Sequence, residues 1–173
     1  MKTAIDLVNT ASVGFKVIPL QYGEISIVDD EDFHLFDGRS CCKIKGGYGV
    51  RVIWDKEKKK SIREYMHRLI MRPPPGMCVD HINRNKLDNR RSNLRLATYS
   101  QNSCNRGPMK RNKIGLKGVS KQILNGKWNG KWRSGIGVNG KLIYLGIFDT
   151  PELAANAYAA GVKKYHGEFG SVK

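Results

Sequence analysis

Apolar and polar residues alternate along the first third of the chain with the two-residue period of β-strands. Three runs, FKVIPL, GEISIV and CCKIKGGYGVRVIW, lie between residues 15 and 54 and are rich in β-branched residues. The acidic segment DDEDF and the pair Gly46-Gly47 interrupt them. The pattern predicts a small β-rich region over residues 1–60.

The period changes in SIREYMHRLIM, where the apolar residues recur at helical spacing. Ser61 and Glu64 have the spacing of a capping box, so a helix is predicted to begin there. The segment RPPPG at residues 72–76 ends it, because proline lacks the amide donor that a helix needs.

Residues 77–105 combine two short strand patterns with a long polar loop. CVDHI and NLRLAT predict an antiparallel hairpin around the loop NRNKLDNRRS. Thr98 and Gln101 form a second capping box, which predicts a helix that begins at Tyr99 and carries Asn102. The hairpin and the helix are expected to bring four polar residues together: Asp80, His81, Asn93 and Asn102.

The last third begins with a basic, turn-rich segment, NRGPMKRNKIG, which predicts a linker over residues 106–115. The runs KGVSKQ and KWRSGIGVNGKLIYLGIF then predict a three-stranded antiparallel sheet, with Asn139-Gly140 as a two-residue hairpin turn. Thr150 and Pro151 predict the start of a helix that packs on the apolar face of this sheet. The opposite face is basic or bare and is expected to meet a ligand.

Charge narrows the kinds of partner. The chain has 31 Lys and Arg against 15 Asp and Glu, a net charge of +16, and only +1 of it lies in residues 1–60. Such a balance favours binding to a polyanion. A membrane partner is not expected, since no apolar run approaches the length of a spanning helix and no signal peptide is recognisable. The four cysteines lack Cys-x-x-Cys spacing and are expected to be reduced thiols that hold no zinc.

The Asp80-His81 pair, Asn93 and Asn102, together with HRLIM and LDNRRSNLRLAT, resemble the HNH endonucleases, specifically their phage and intron-encoded homing members. The resemblance covers about residues 61–105 and implies a ββα-metal nuclease module. It implies that Asp80 and Asn102 hold one divalent metal ion, that His81 is the general base, and that Asn93 orients the His81 strand. Asn102 stands where the more familiar version has histidine, and oxygen ligands favour Mg²⁺ or Mn²⁺.

Each of these residues also has a structural interpretation, because Asp, His and Asn commonly form hydrogen bonds in turns. Their joint spacing in a basic chain favours a nuclease site. Arg90, Arg91 and Arg95 are candidate phosphate contacts, with a solvated surface as the alternative. For His67, a packing or phosphate-binding role is favoured over catalysis.

Residues 116–167 resemble the DNA-binding domain of plant ethylene-response factors through KGVS, GKW, YLGIFDTPELAANAYAAG and the closing HG. The resemblance implies that the sheet enters the major groove of DNA. The DNA contacts that it implies are Lys117, Lys121, Lys131, Arg133 and Tyr144. Gly137, Leu142 and an extra residue in WNGKW depart from that family's pattern.

The sequence therefore predicts an α+β protein: a β-rich region at 1–60, an HNH module at 61–105, a linker at 106–115 and a DNA-binding domain at 116–173. The leading hypothesis is a metal-dependent DNA endonuclease of homing type with a tethered DNA-reading domain. The alternative is a non-catalytic DNA-binding protein on a degenerate nuclease fold, and an RNA-binding protein is the weakest candidate. Double-stranded DNA is the expected partner of a monomer without a small-molecule cofactor, in the cytoplasm of a bacterial or phage-infected cell.

Overall fold

The computed structural model describes residues 14–109 and 112–172. The chain divides into two compact units, residues 1–98 and 99–173. The boundaries that the sequence predicted near residues 60, 105 and 115 stay predictions. Residues 1–13 of the predicted N-terminal region, and Lys110 and Arg111 of the predicted linker, lie outside the described residues.

In its described residues, the first unit contains three small antiparallel sheets, one of three strands and two of two strands. One apolar core, which includes Val28, Phe36, Met66 and Leu94, is shared by strands from both sides of residue 60. The elements of this unit are β1 (Phe15–Pro19), β2 (Ile25–Asp29), β3 (Ser40–Lys43), β4 (Gly49–Asp55), β5 (Lys60–Tyr65), α1 (Met66–Met71), β6 (Cys78–His81) and β7 (Leu94–Ala97).

The backbone of the 82–93 loop pairs directly with β2. Ile27 N donates to Leu87 O at 2.9 Å, and Asn89 N donates to Ile27 O at 2.8 Å. These bonds explain why the first 60 residues do not stand apart from the β6–β7 hairpin. They satisfy backbone groups of β2 and of the loop that would otherwise need water or another strand.

The predicted helix over 61–71 is wrong in its first half. Residues 60–65 form β5, and only Met66–Met71 are helical. The reason is tertiary: Ile62 pairs with Ile53 across the sheet, and the Glu64 carboxylate accepts a bond from Arg51 Nη2 at 2.6 Å. Cross-strand contacts of this kind override a helical period that spans only a few residues.

The second unit confirms the predicted three-stranded antiparallel sheet with one packed helix. The strand order is β10-β9-β8, and Ile136, Tyr158 and Val162 form its buried core. The predicted starts of both helices are confirmed. The elements are α2 (Tyr99–Cys104), β8 (Val119–Leu124), β9 (Lys127–Val138), β10 (Lys141–Phe148) and α3 (Pro151–Tyr165).

Local chemistry explains the turns of this unit. Asn139 and Gly140 both have positive φ, 50° and 77°, as a two-residue hairpin turn requires. Thr150 Oγ1 accepts a bond from Leu153 N at 3.3 Å, so it caps α3 as predicted. No helix in the described part of the chain is long and apolar enough to cross a bilayer.

The predicted fold class is confirmed in its coarse form, since the protein mixes several small antiparallel sheets with few helices. The ββα-metal arrangement stays a prediction, because it requires α2 of the second unit to join the β6–β7 hairpin of the first.

Gly118 should be far more sensitive to substitution than its neighbour Gly115. Both have φ of +75°, but a Cβ at Gly118 would lie 1.9 Å from Tyr158 Cδ2, whereas a Cβ at Gly115 would meet nothing within 4 Å. Gly118→Ala is expected to lower the free energy of unfolding by about 1–3 kcal/mol more than Gly115→Ala. Denaturant unfolding of the two full-length variants measures this difference, and equal losses would contradict the packing.

Candidate active site

The β6–β7 hairpin carries Asp80, a predicted metal ligand, and His81, the predicted general base. Asp80 pairs with Arg95 and His81 pairs with Leu94 in the strand register. Because neighbouring residues of a strand point to opposite faces, the Asp80 and His81 side chains leave the hairpin on different sides. Both residues are buried, each with 4% of its surface exposed.

A chain of three hydrogen bonds fixes the His81 ring. Ser26 Oγ donates to the backbone oxygen of Leu87 at 2.8 Å, which uses the only hydroxyl hydrogen. Asn89 Nδ2 therefore donates to Ser26 Oγ, also at 2.8 Å. The amide oxygen of Asn89 then faces His81 Nε2 at 3.2 Å. The direction of every bond follows from the carbonyl of Leu87, which can only accept.

The same chain assigns the tautomer of His81. Since Asn89 Oδ1 only accepts, His81 Nε2 carries the ring proton and Nδ1 carries the lone pair. Burial lowers the pKa of His81 below its usual value, against smaller opposing effects of Asn89 and of the Asp80 and Asp88 carboxylates. A neutral imidazole with its basic nitrogen at Nδ1 is the form that a general base needs.

Asn93 braces the loop that follows His81. Its Oδ1 accepts from Asn83 N at 2.9 Å, and its Nδ2 donates to Asp88 O at 2.7 Å. Its backbone oxygen also accepts from Ile82 N at 2.9 Å. Asn93 thus ties both ends of the loop to β7, while direct contact with the His81 ring belongs to Asn89. Asn89 was not predicted as a site residue, since its only signal in the sequence is a further amide in LDNRRSNL.

The Asp80 carboxylate is held by Arg95, whose Nε and Nη2 donate to Asp80 Oδ2 at 2.9 and 2.7 Å. The pair joins a predicted metal ligand to a predicted phosphate contact. Neither interpretation of Arg95 included this bond. It gives the buried carboxylate a charged partner and keeps it positioned on the hairpin.

The side chains around Asp80 decide which metal ion this site could bind. In the described residues, no group of three His, Cys, Asp or Glu side chains could hold a metal. Asp80 offers one carboxylate, and Mg²⁺ commonly takes one or two carboxylates with the rest of its oxygens from water and substrate phosphate. Such a set fits Mg²⁺ or Mn²⁺. Asn102 lies on α2 of the second unit, and its pairing with Asp80 stays a prediction.

Arg90 and Arg91, the other arginines predicted to contact phosphate, each bind a buried carboxylate. Arg90 Nε and Nη2 donate to the two oxygens of Asp88 at 2.8 Å, which contributes most to the lowered pKa of Asp88. Arg91 makes the same two-pronged contact with Asp32, also at 2.8 Å. These contacts join the hairpin loop to itself and to the acidic segment after β2.

His67 lies at the centre of an aromatic cluster beside His81. The two imidazole centroids are 5.2 Å apart, and the rings of Tyr48 and Tyr65 lie 5.2 and 5.3 Å from His67. His67 Nδ1 is buried and has no hydrogen-bond partner in the described structure. Burial, then the proximity of His81, lowers the pKa of His67 to about 3. His67 therefore packs as an uncharged ring.

The predicted DNA contacts of the second unit fall into two groups. Arg133 lies over the exposed Tyr144 ring, with Cζ 5.4 Å from its centroid, and Lys121 Nζ lies 4.4 Å from the Trp128 ring centroid. Both pairs combine a cation with an exposed aromatic ring. The two other lysines are engaged within the unit: Lys131 with Asp149, and Lys117 Nζ with Cys104 O at 2.6 Å.

Comparison with known proteins identifies relatives of this arrangement. A family described as HNH endonuclease matches residues 64–104. A protein of Acanthamoeba polyphaga mimivirus, described as an uncharacterized HNH endonuclease, is 32% identical over 126 residues, which are 72% of this chain and 62% of that protein. Protein 3.8 of Escherichia phage T7 is 35% identical over 96 residues, 56% of this chain and 75% of its own length. No solved structure matches the chain.

His67 should make the protein less stable in mild acid. Its folded-state pKa of about 3 lies below the usual 6.5, so between these values the unfolded chain binds the extra proton. Stability then falls as the pH falls, by about 2 kcal/mol between pH 7 and pH 5 from this site alone. His67→Phe keeps a ring and removes the titration, so it should lose about 2 kcal/mol less over that interval.

Denaturant unfolding of the wild type and of His67→Phe at the two pH values measures the difference. His34→Phe is the matched control, because His34 is exposed. An identical pH dependence in the wild type and in His67→Phe would contradict the burial of an uncharged His67.

Proposed function

We propose that this chain, whose residues 64–104 match a family described as HNH endonuclease, hydrolyses phosphodiester bonds of double-stranded DNA with a divalent metal ion. The observation that carries the proposal is the hydrogen-bond chain that leaves the lone pair of His81 on Nδ1. This hydrogen-bond chain holds the His81 ring in one orientation and one tautomer, which is what a general base requires.

The reaction follows from the tautomer. His81 Nδ1 takes a proton from a water molecule, whose oxygen forms a new bond to phosphorus. The bond from phosphorus to one deoxyribose oxygen breaks, and that oxygen leaves with a proton from solvent. Asn89 keeps the His81 ring oriented and remains the acceptor of the Nε2–H when the proton transfer at Nδ1 creates the imidazolium. Asn93 keeps the loop behind His81 in place.

Asp80 and Asn102 are the residues that would hold the metal ion. When bound, the ion neutralises charge on the phosphate and on the leaving oxygen. Arg95 shares the Asp80 carboxylate and keeps it in position on β6. The single carboxylate is consistent with Mg²⁺ or Mn²⁺, which accept phosphate oxygen and water as further ligands.

Binding of DNA is assigned mainly to the second unit. Residues 99–173 have 13 basic and 3 acidic side chains against 18 and 12 in residues 1–98. Two cation–aromatic pairs of this unit are proposed to contact phosphates and base edges: Arg133 with Tyr144, and Lys121 with Trp128. A nuclease module joined to a separate basic unit is the layout proposed here for a homing-type enzyme, with the second unit as the DNA reader.

One observation favours the alternative, a non-catalytic DNA-binding protein. The Asp80 carboxylate already has a charged partner in Arg95, and both Asp80 and His81 are buried. In that case the protein would bind DNA and never cut it. Incubation with supercoiled plasmid separates the two functions: nicking or linearisation in Mg²⁺ or Mn²⁺ that a chelator abolishes supports the nuclease.

His81→Ala should lower plasmid cleavage by about 10²–10⁴-fold, because it removes the general base. DNA affinity, measured by anisotropy in a chelator, should stay within about twofold, since binding depends on the basic surfaces. His34→Ala is the control, because it removes an exposed histidine of the same unit. Cleavage by His81→Ala at the wild-type rate, with contaminating nuclease excluded, would show that the imidazole is structural.

Asn89→Ala should lower cleavage by about 10–100-fold, because His81 loses the acceptor that fixes its tautomer and orientation. Ser26→Ala is the graded control, since Asn89 Oδ1 can still face His81 there, and its loss should be smaller. Initial rates on plasmid, with circular dichroism as the check on folding, measure both. A folded Asn89→Ala protein with full activity would separate the chain from the chemistry.

A further inference from the structure

Strands β4 and β5 continue as a two-stranded ribbon beyond their own sheet. The neighbouring strand β3 pairs with β4 only as far as Ser40 opposite Val52. Among the described residues, the pairs Ile53–Ile62, Trp54–Ser61 and Asp55–Lys60 therefore have no third strand beside them. Two-stranded ribbons are only marginally stable in water by themselves, so a binding partner could stabilise this one.

The ribbon tip is strongly basic although the first 60 residues are nearly neutral. The segment DKEKKKSIR, residues 55–63, has five basic and two acidic side chains, and all five cations are exposed. Several acidic residues that make residues 1–60 nearly neutral lie away from the tip. Three of them bond to Arg91: Asp29, Glu31 and Asp32. A net charge of +3 is thus concentrated at the tip.

One face of the ribbon presents an exposed tryptophan beside cations. Val52 lies opposite Arg63 and Trp54 lies opposite Ser61, so the Arg63 and Trp54 side chains share a face. Trp54 is 62% exposed, which is unusual for the largest apolar side chain. An exposed aromatic ring on the same face as an arginine, with lysines at the tip of the ribbon, is surface chemistry that binds nucleic acids.

The same face leads directly to the candidate active site. Tyr65 lies opposite Val50 and so shares the face of Arg63 and Trp54. Its ring contacts Tyr48 at 5.7 Å and His67 at 5.3 Å between centroids, and His67 contacts His81 at 5.2 Å. The ribbon therefore begins at the cluster that surrounds His81 and extends away from it.

We propose that the β4–β5 ribbon is a second DNA-docking element, which holds the duplex next to the phosphate that His81 attacks. This inference rests on the proposed nuclease function and adds a contact surface within the first unit. Charge complementarity and continuity with the candidate site select DNA as the occupant. From Tyr65 to Lys60 the strand spans about 17 Å, which matches about five phosphates along one strand.

Trp54 provides a direct probe of binding at the ribbon. Incorporation of 5-fluorotryptophan labels all three tryptophans of the chain, so the ¹⁹F spectrum contains one resonance for each of them. In the full-length protein, Trp54→Phe assigns its ¹⁹F resonance. A duplex oligonucleotide is then added in the presence of a chelator, so that binding is observed without cleavage. The Trp54 resonance should shift or broaden, whatever the resonances of Trp128 and Trp132 in the second unit do.

Binding of variants completes the test. Lys56→Gln with Arg63→Gln should reduce the slope of log affinity against log salt by about two, whereas Arg39→Gln with Arg72→Gln, two exposed cations outside the ribbon, should not. Trp54→Ala should weaken binding about 5- to 100-fold. An unmoved Trp54 resonance, or equal slopes for both double variants, in a protein that binds and cuts DNA overturns the ribbon proposal alone. If the wild type neither binds nor cuts DNA, the proposed function and the ribbon proposal both fail.

Discussion

The backbone carbonyl of Leu87 is the constraint on which the candidate site depends. It accepts from Ser26 Oγ and from Ile27 N, and these two bonds fix the loop against β2. Because a carbonyl can only accept, the hydroxyl, the Asn89 amide and the His81 ring are each forced into one orientation. The chemistry of a nuclease motif in residues 64–104 is thus set by a strand that precedes that motif by about 40 residues.

Among the basic residues of the chain, some are paired with buried carboxylates and others are exposed to solvent. Three arginines of the hairpin and its loop form ion pairs with buried carboxylates: Arg90, Arg91 and Arg95. These ion pairs stabilise the fold around the site. Other cations are exposed, on the ribbon tip and beside the Trp128 and Tyr144 rings of the second unit, and these are the ones proposed to bind DNA. Proximity to the motif alone would therefore assign DNA contacts to arginines that already form ion pairs with buried carboxylates.

Much of the architecture follows from local sequence. The β6–β7 hairpin, the Asn139-Gly140 turn and the start of α3 at Thr150 and Pro151 were predictable because each depends on residues close in sequence. Three features were not. The strand at 60–65 depends on pairing with β4, the Asp80–Arg95 bond depends on hairpin register, and Asn89 faces His81 only because β2 binds the loop. Each depends on contacts that no spacing in the sequence reports.

The central claim is that Asn89 holds His81 as the neutral tautomer with its proton on Nε2. Two-dimensional ¹⁵N–¹H NMR of the histidine rings in the full-length protein tests this directly, with His81→Ala to assign the signals. The account predicts a protonated Nε2 and an unprotonated Nδ1 for His81 at neutral pH. A proton on Nδ1, or a doubly protonated ring, would contradict the hydrogen-bond chain and the role derived from it.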